Sequence, residues 1–396
     1  MGKEACVCDM RPLTWRDIIW RYNIRGSPTL DSIFKFIMSQ YMKAAVFQKP
    51  YVVETITKPI PQISQQNEVL VKVKYSGLCG SDLHYYRGHI PLTAGQTMGH
   101  EFVGAIVEKS SDIPDSVLAV GDEVISTFTI QCGECWYCQH GYSGTCEKTN
   151  TFGKVGLDGA QAEYVLVPYA TTTLVKKPKS TPDADDSIYT LMADIFVTGY
   201  FGVKKIVDHF QSLPINEISV LQMGAGPVGL CAVRVLRQFG FKSIVVVDGI
   251  DARLQQAQKL GATATVNFRT EPDKLKQLIA TLTDNRGFDA SLEIVGATTA
   301  MRTAFDSIRR GGFISSVGMG HEELPFNALE CYAKGLTVSF GRCNTWALFH
   351  EALKMFEQVK EDFSDFIEVK PHIDEAGVYY TRFEKGEVLK VVFRFQ

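Results

Sequence analysis

Four cysteines, Cys132, Cys135, Cys138 and Cys146, fall within fifteen residues in the spacing C-x2-C-x2-C-x7-C. Four thiolates complete the tetrahedral shell of a zinc ion and leave no position for a substrate. The spacing therefore predicts a structural zinc that pins a surface lobe. The chain has ten cysteines, but a disulfide framework is not expected of one this long without a signal-peptide pattern. A nucleic-acid zinc module does not fit either, because the lobe carries Glu134 and Glu147 against the single lysine Lys148.

A second set of residues suits phosphate chemistry. Gly224-Ala225-Gly226-Pro227-Val228-Gly229 reads GxGxxG after an apolar strand and at the opening of a helix. Glycines there permit a tight turn and close approach of the backbone to a pyrophosphate, which the free N–H groups of the helix start receive. Asp248 ends the next strand, nineteen residues after Gly229. Its carboxylate can accept from ribose hydroxyls and would repel a 2′-phosphate, so NAD is expected over NADP. Arg253 stands five residues further on and qualifies that preference.

The third set is Cys79 and His100, twenty-one residues apart. A thiolate with an imidazole suits zinc. Two ligands are not enough to hold the ion, and on spacing alone a pair of core residues fits equally well.

These residues need two kinds of scaffold. From Met42 to about Val167 the chain is β-rich: Glu68–Tyr75 alternates apolar and polar residues, and Phe102–Val107 and Glu163–Val167 follow as short strands. Lys176–Ser187 reads as a polar surface connection. From about Ala193 to Phe340 strands and helices alternate. Ile218–Met223, Ser243–Val247, Ala290–Ile294, Phe313–Val317 and Leu336–Phe340 are expected strands, and Pro227–Phe239 and Asp251–Leu260 are expected helices. Asp251 is placed to cap the latter and Gly261 to end it. Repeated βα units imply a parallel sheet covered on both faces, an α/β fold. A helix near Trp346–Lys360 and a strand near Leu389–Phe395 close the sequence.

Composition narrows the function. The net charge is −3 and 21% of residues are charged, which gives no case for nucleic acid or an anionic membrane as partner. No run of eighteen apolar residues suggests a bilayer span. Residues 1–41 carry six basic and four acidic residues and read as a loosely held extension. Their acids argue against a matrix-targeting peptide, and a cytoplasmic location is expected.

In this order, CGSDLH at 79–84, GHEFVG at 99–104, the four-cysteine lobe, DIFVTGY at 194–200, GAGPVG at 224–229 and GEVLKVVFRF at 386–395 resemble the zinc-containing medium-chain dehydrogenases. The resemblance covers roughly residues 42–396. It implies a GroES-like β domain over 42–192, a Rossmann doubly wound domain over 193–340, and a return to the β domain over 341–396. It further implies two zinc ions per chain, a homodimer or homotetramer, and hydride transfer between a small alcohol or carbonyl compound and the dinucleotide, in either direction. Cys79 and His100 match catalytic zinc ligands. The third ligand varies among relatives, and both Asp194 and Glu101 stand at matching positions, with Asp194 favoured by its context MADIFVTGY. Ser81 and His84 match a proton relay. Thr198, Val317 and Met319 match residues around the nicotinamide, and Lys390 matches a base that reaches the pyrophosphate. Tyr85, Tyr86, His89 and Trp136 are candidate pocket residues. Val197 departs from the proline common in such members.

Two alternatives remain open at this point. CGSDLHYY resembles the polyol branch, of sorbitol or xylitol type. A non-catalytic dinucleotide-binding protein of the same fold is the alternative of another class, against which Cys79 and His100 argue.

Overall fold

The computed structural model describes residues 40–181, 184–320 and 322–395. Its strands follow the two apolar rhythms of the sequence. Where apolar residues alternate, the pairing is antiparallel. Glu68–Leu78 buries Val69, Val71 and Val73 while Lys72 and Lys74 are exposed. It lies inside a sheet, pairing with Glu101–Lys109 on one edge and with Val391–Arg394 and Tyr164–Pro168 on the other. Glu123–Ser126 and Leu174–Lys176 extend that sheet beyond Glu101–Lys109. The strand Val391–Arg394 thus brings the last part of the chain back beside its first part.

Where apolar residues run unbroken, the strands are parallel and buried on both faces. They lie in the spatial order Ala264–Asn267, Ser243–Asp248, Ser219–Met223, Phe288–Glu293, Ile308–Ser316, Thr337–Ser339. Chain order reverses beside Ser219–Met223, which makes a switch point in the crevice at the strands' carboxyl ends. Alternate residues of each strand feed two cores. Val220, Ile244 and Leu292 pack with Leu230, Val233 and Leu236 of the helix Pro227–Phe239. Leu221, Val245 and Ile314 pack with Met301, Ala304 and Phe305 of the helix Thr298–Ser307 on the other face. The α/β class expected from the alternating elements is the observed one.

Several boundaries differ from the sequence reading. The first strand of the β sheet runs on to Leu78 because Ser76 and Gly77 still pair with Phe102 and Glu101. Ala264–Asn267 and the helices Lys274–Thr283 and Thr298–Ser307 are not singled out by periodicity; Lys274–Thr283 buries only Thr283 fully, so its apolar stripe is faint. The helix Asp251–Leu260 ends at Gly261, whose φ of +118° suits glycine. Asp251, however, is not its cap. Ile250 holds that position, and the Asp251 carboxylate accepts from Asn267 Nδ2 instead. The expected connection Lys176–Ser187 begins at the end of one strand and runs into the short helical turn Asp186–Tyr189, with residues 182–183 outside the described set. The expected extension 1–41 also lies outside it, except Gln40 and Tyr41, the latter opening the strand Tyr41–Lys49. Among the described residues no helix is long and apolar enough to cross a membrane.

At the amino end of the parallel sheet, buried Asp289 ties two strands and a guanidinium together. Its Oδ2 accepts from Ser219 N at 2.9 Å and Ser219 Oγ at 2.7 Å, and its Oδ1 accepts from Arg309 Nε at 2.6 Å. Burial would raise the carboxyl pKa, but Arg309 and Ser219 overcome it and hold it below the usual range. Asp289→Ala strands these donors and should cost about 2–4 kcal/mol. Thermal unfolding checks this, and an unchanged midpoint would contradict the bracing role.

Candidate active site

Three segments deliver one buried cluster. Cys79 leaves the strand Glu68–Leu78 and is fixed by its N–H, which donates to Asp82 Oδ2 at 3.0 Å. His100 and Glu101 enter the neighbouring strand Glu101–Lys109. Asp194 occupies the break between the helices Thr190–Ala193 and Ile195–His209. Ligand atoms of Cys79, His100, Glu101 and Asp194 all lie within 4.8 Å of one another, and all four residues are buried.

The two carboxylates are not equivalent. Asp194 Oδ2 stands 3.5 Å from Cys79 Sγ and 3.3 Å from His100 Nε2. Its other oxygen accepts from Thr198 Oγ1 at 2.7 Å. Glu101 turns one oxygen to Lys390 Nζ, in a pair with no solvent exposure on either side chain, while its Oε1 has no hydrogen-bond partner. Gly77 makes room for this carboxylate, since a Cβ there would fall 1.9 Å from Glu101 Oε2. Lys390 is the residue matched in sequence to a base that reaches the pyrophosphate. Its ammonium faces inward and donates to Glu101 and, at 3.1 Å, to Leu78 O.

Electrostatics show what the cluster is suited to hold. Burial pushes the Cys79 thiol up, and the Asp194 and Glu101 carboxylates add to that. At Glu101 burial also wins, against the pull of Lys390, and raises the carboxyl. Burial favours a neutral His100, but Asp82 and Asp194 outweigh it and hold the ring's pKa well above its ordinary value. Anionic donors facing each other out of water need a cation, and a sulfur–nitrogen–oxygen set of this kind fits zinc.

Sequence reasoning missed Asp82. His100 Nδ1 lies 3.1 Å from Asp82 Oδ1, which orients the ring so that Nε2 faces the cluster. The signal was available, since a ligating histidine needs a carboxylate or carbonyl behind it. Ser81 Oγ stands 3.4 Å from Cys79 Sγ and 3.2 Å from His100 Nε2, beside the donor atoms. His84 follows on the short helix Asp82–Tyr86, half-buried, with its ring centroid 6.1 Å from that of His89. Tyr85 and Tyr86 are buried, the latter against Tyr51 and Tyr380. Trp136 lies on the cysteine lobe, stacked on His140 and largely exposed.

The lobe gathers Cys132, Cys135, Cys138 and Cys146 with ligand atoms inside the same 4.8 Å limit, none in a disulfide. Backbone N–H groups of Cys132 and Lys148 each point at Cys146 Sγ at 3.3 Å. Those of Cys138 and Glu147 hold the Cys135 thiol down at about 6, whereas burial pushes the Cys138 and Cys146 thiols up. Such N–H groups favour thiolates, the form that binds metal. The lobe is anchored to the helix Thr345–Val359: Gly144 N donates to Asn344 Oδ1 at 3.0 Å and Ala347 N to Ser143 Oγ at 3.3 Å.

The glycine turn stands at the carboxyl end of Ser219–Met223. Gly224 has a φ of +100°. Gly226 precedes the helix, which starts at Pro227, and a Cβ on Gly226 would meet nothing within 4 Å. A Cβ on Gly229 would fall 2.4 Å from Gly224 O, so this glycine seats the helix on the turn. Val228 O in turn lies 3.1 Å from where a Cβ of Gly199 would be, next to Thr198. The turn and the buried cluster are thereby neighbours. Asp248 ends its strand with Oδ2 accepting from Ala225 N at 2.8 Å and Oδ1 from Ile250 N at 3.0 Å. Half-buried Arg253 lies in the following helix. Half-buried Val317 and exposed Met319 follow the strand Ile308–Ser316 on the same side of the sheet.

Adding a methyl group at Gly229 overpacks backbone against backbone. Gly229→Ala should cost about 1–3 kcal/mol, whereas Gly226→Ala should stay within about 0.5 kcal/mol. Comparing their thermal unfolding midpoints checks the two roles, and equal effects would contradict them.

Two family models match the chain: an alcohol dehydrogenase GroES-like domain over residues 65–179 and a zinc-binding dehydrogenase over residues 227–358. The chain is 39% identical over 367 residues to zinc-type alcohol dehydrogenase B of Aspergillus flavus, covering 93% of this chain and 84% of that protein. The alcohol dehydrogenase TADH from Thermus sp. ATN1 superposes with a TM-score of 0.81 at 32% identity, covering 90% of this chain and all (100%) of that one. A structure described as a short chain alcohol dehydrogenase from E. coli in complex with NADH gives a TM-score of 0.76 at 27% identity, covering 90% and 100%. The chain belongs to the zinc-binding, medium-chain alcohol dehydrogenase family.

Proposed function

We propose that the chain is a two-zinc alcohol dehydrogenase whose reaction centre is formed by Cys79, His100 and Asp194 and whose hydride partner is a nicotinamide dinucleotide, NAD being accepted. The observation that carries this is Asp194 Oδ2, set 3.5 Å from Cys79 Sγ and 3.3 Å from His100 Nε2 in a buried site beside the glycine turn. Three donors from three segments suit an ion that keeps a position open for substrate. Bound there, zinc supplies Lewis acidity that lowers the pKa of an alcohol, and the dinucleotide supplies the hydride acceptor.

The chain's own residues do the rest. Asp82 holds His100 in the orientation that points Nε2 at the cluster. Thr198 holds the second oxygen of Asp194, so that Oδ2 alone turns to the donors. Ser81 Oγ, beside Cys79 Sγ and His100 Nε2, is placed to take the alcohol's proton. His84, one helical turn on, is placed to pass it toward solvent. Glu101 stays behind, held by Lys390. The cysteine lobe holds the second zinc and keeps its surface loop folded against the helix Thr345–Val359. Support for a dinucleotide comes from the glycine turn, from Asp248 and from the NADH-bound E. coli structure of similar fold. Small alcohols and their carbonyl counterparts are the substrate class.

Metal analysis and dinucleotide reduction with a panel of simple alcohols and polyols test the assignment. The parent chain should carry two zincs. Asp194→Ala and Cys79→Ala should each retain one and lose at least about a thousandfold in turnover, consistent with several kcal/mol of transition-state stabilisation. Glu101→Gln should retain both. Loss of zinc from Glu101→Gln with retention in Asp194→Ala would reverse the ligand assignment, and full activity of Cys79→Ala would end the catalytic one. Cys135→Ala should lose the other zinc and destabilise the fold by on the order of 3 kcal/mol or more.

A further inference from the structure

Phe268 and Arg269 leave the strand Ala264–Asn267 beside the carboxyl end of Ser243–Asp248, with Asn267 in register opposite Asp248. Both backbones are tied down. Phe268 N donates to Asp248 O at 3.2 Å, and Arg269 N donates to Asn267 Oδ1 at 3.0 Å. Their side chains fold over Gly249, where a Cβ would stand 2.7 Å from Arg269 Nε and 2.9 Å from the Phe268 ring. Phe268 is 57% exposed, and the Arg269 guanidinium lies 5.7 Å from its centroid. Among the described residues no carboxylate pairs with Arg269.

Asp248 is differently occupied. Both of its oxygens accept from backbone N–H groups, those of Ala225 and Ile250. That satisfies part of its charge before any ribose arrives. A guanidinium with no carboxylate partner among the described residues stands at the same corner, and its planar fork matches a phosphate. The exposed ring lies against it, the guanidinium carbon 5.7 Å from the ring centroid.

We propose that Arg269, laid on Phe268 above Gly249, is a cofactor-discriminating residue that admits a phosphate at the adenosine 2′ position, so that the chain binds NADP as well as NAD. The proposal rests on the dinucleotide reading above and reverses the expectation drawn from Asp248 alone. Arg269 touches neither zinc cluster, so its role is separable from metal content.

Calorimetric titration of the zinc-loaded full chain with ADP-ribose and with 2′-phospho-ADP-ribose tests it without turnover. Wild type should bind both fragments with affinities within about tenfold of each other. Arg269→Gln should weaken the 2′-phosphorylated fragment by about tenfold or more, the worth of a charge-assisted contact, and ADP-ribose by less than about threefold. Arg269→Lys should fall between. Wild type that binds only ADP-ribose, or an Arg269→Gln variant that weakens both fragments equally or neither, would overturn the proposal. Failure of wild type to bind either fragment would overturn the dinucleotide reading itself, and the proposal with it.

Discussion

The structure is organised around a desolvation problem. A thiol, an imidazole and two carboxylates converge within 4.8 Å, out of water, and among the described residues Lys390 is the lysine buried with them. Isolated, such a group of donors is costly, because each anion loses hydration and faces another. The surroundings are arranged to hold the donors in place regardless. Asp82 braces His100, Thr198 braces Asp194, and Lys390 pairs with Glu101. Each brace comes from a different element, so the antiparallel sheet, the helix Ile195–His209 and the closing strand must all be in place for the cluster to exist.

The parallel sheet solves a different problem beside it. Its strands are apolar on both faces and sealed by helices, so polar chemistry is confined to their ends. At the carboxyl ends the glycine turn, Asp248, Val317 and Met319 come together. Gly199 packed against the first turn of Pro227–Phe239 joins this crevice to Asp194. Two unlike environments, one that concentrates anionic donors and one that offers N–H groups, are thereby held a few residues apart.

Legibility in the sequence followed the range of the interactions. The cysteine lobe and the glycine turn are local, so their spacing sufficed. The helix Pro227–Phe239 could be bounded residue by residue from its proline and the glycine after it. Cys79, His100 and Asp194 come together only through tertiary packing, and it was the family resemblance that grouped them. Asp194 and Glu101 both occupy matching positions, and only side-chain direction distinguishes them, Asp194 standing 3.5 Å from the thiol and Glu101 pairing with Lys390. Lys390 and Glu101 stand far apart in sequence, and no spacing rule reveals that the ammonium turns inward to that carboxylate. Asp251 shows the weakness of local capping rules, since a side chain on the neighbouring strand, Asn267, competed for its carboxylate. Phe268 and Arg269 carry no motif at all; only their placement over Gly249 makes them notable.

The Lys390–Glu101 pair spans 289 residues of sequence. Everything in the parallel-sheet unit lies between the two partners. As the chain emerges during synthesis, the strand bearing Glu101 is complete long before its counter-charge exists. The parallel-sheet unit, whose strands and covering helices are all its own, can close in the interval. The antiparallel sheet must wait, with the edge of Glu68–Leu78 that later receives Val391–Arg394 still open and an uncompensated carboxylate beside it. Such a distant pairing is slow to form by chain diffusion. The order of biosynthesis therefore leaves the metal side of the molecule as the last part to be sealed.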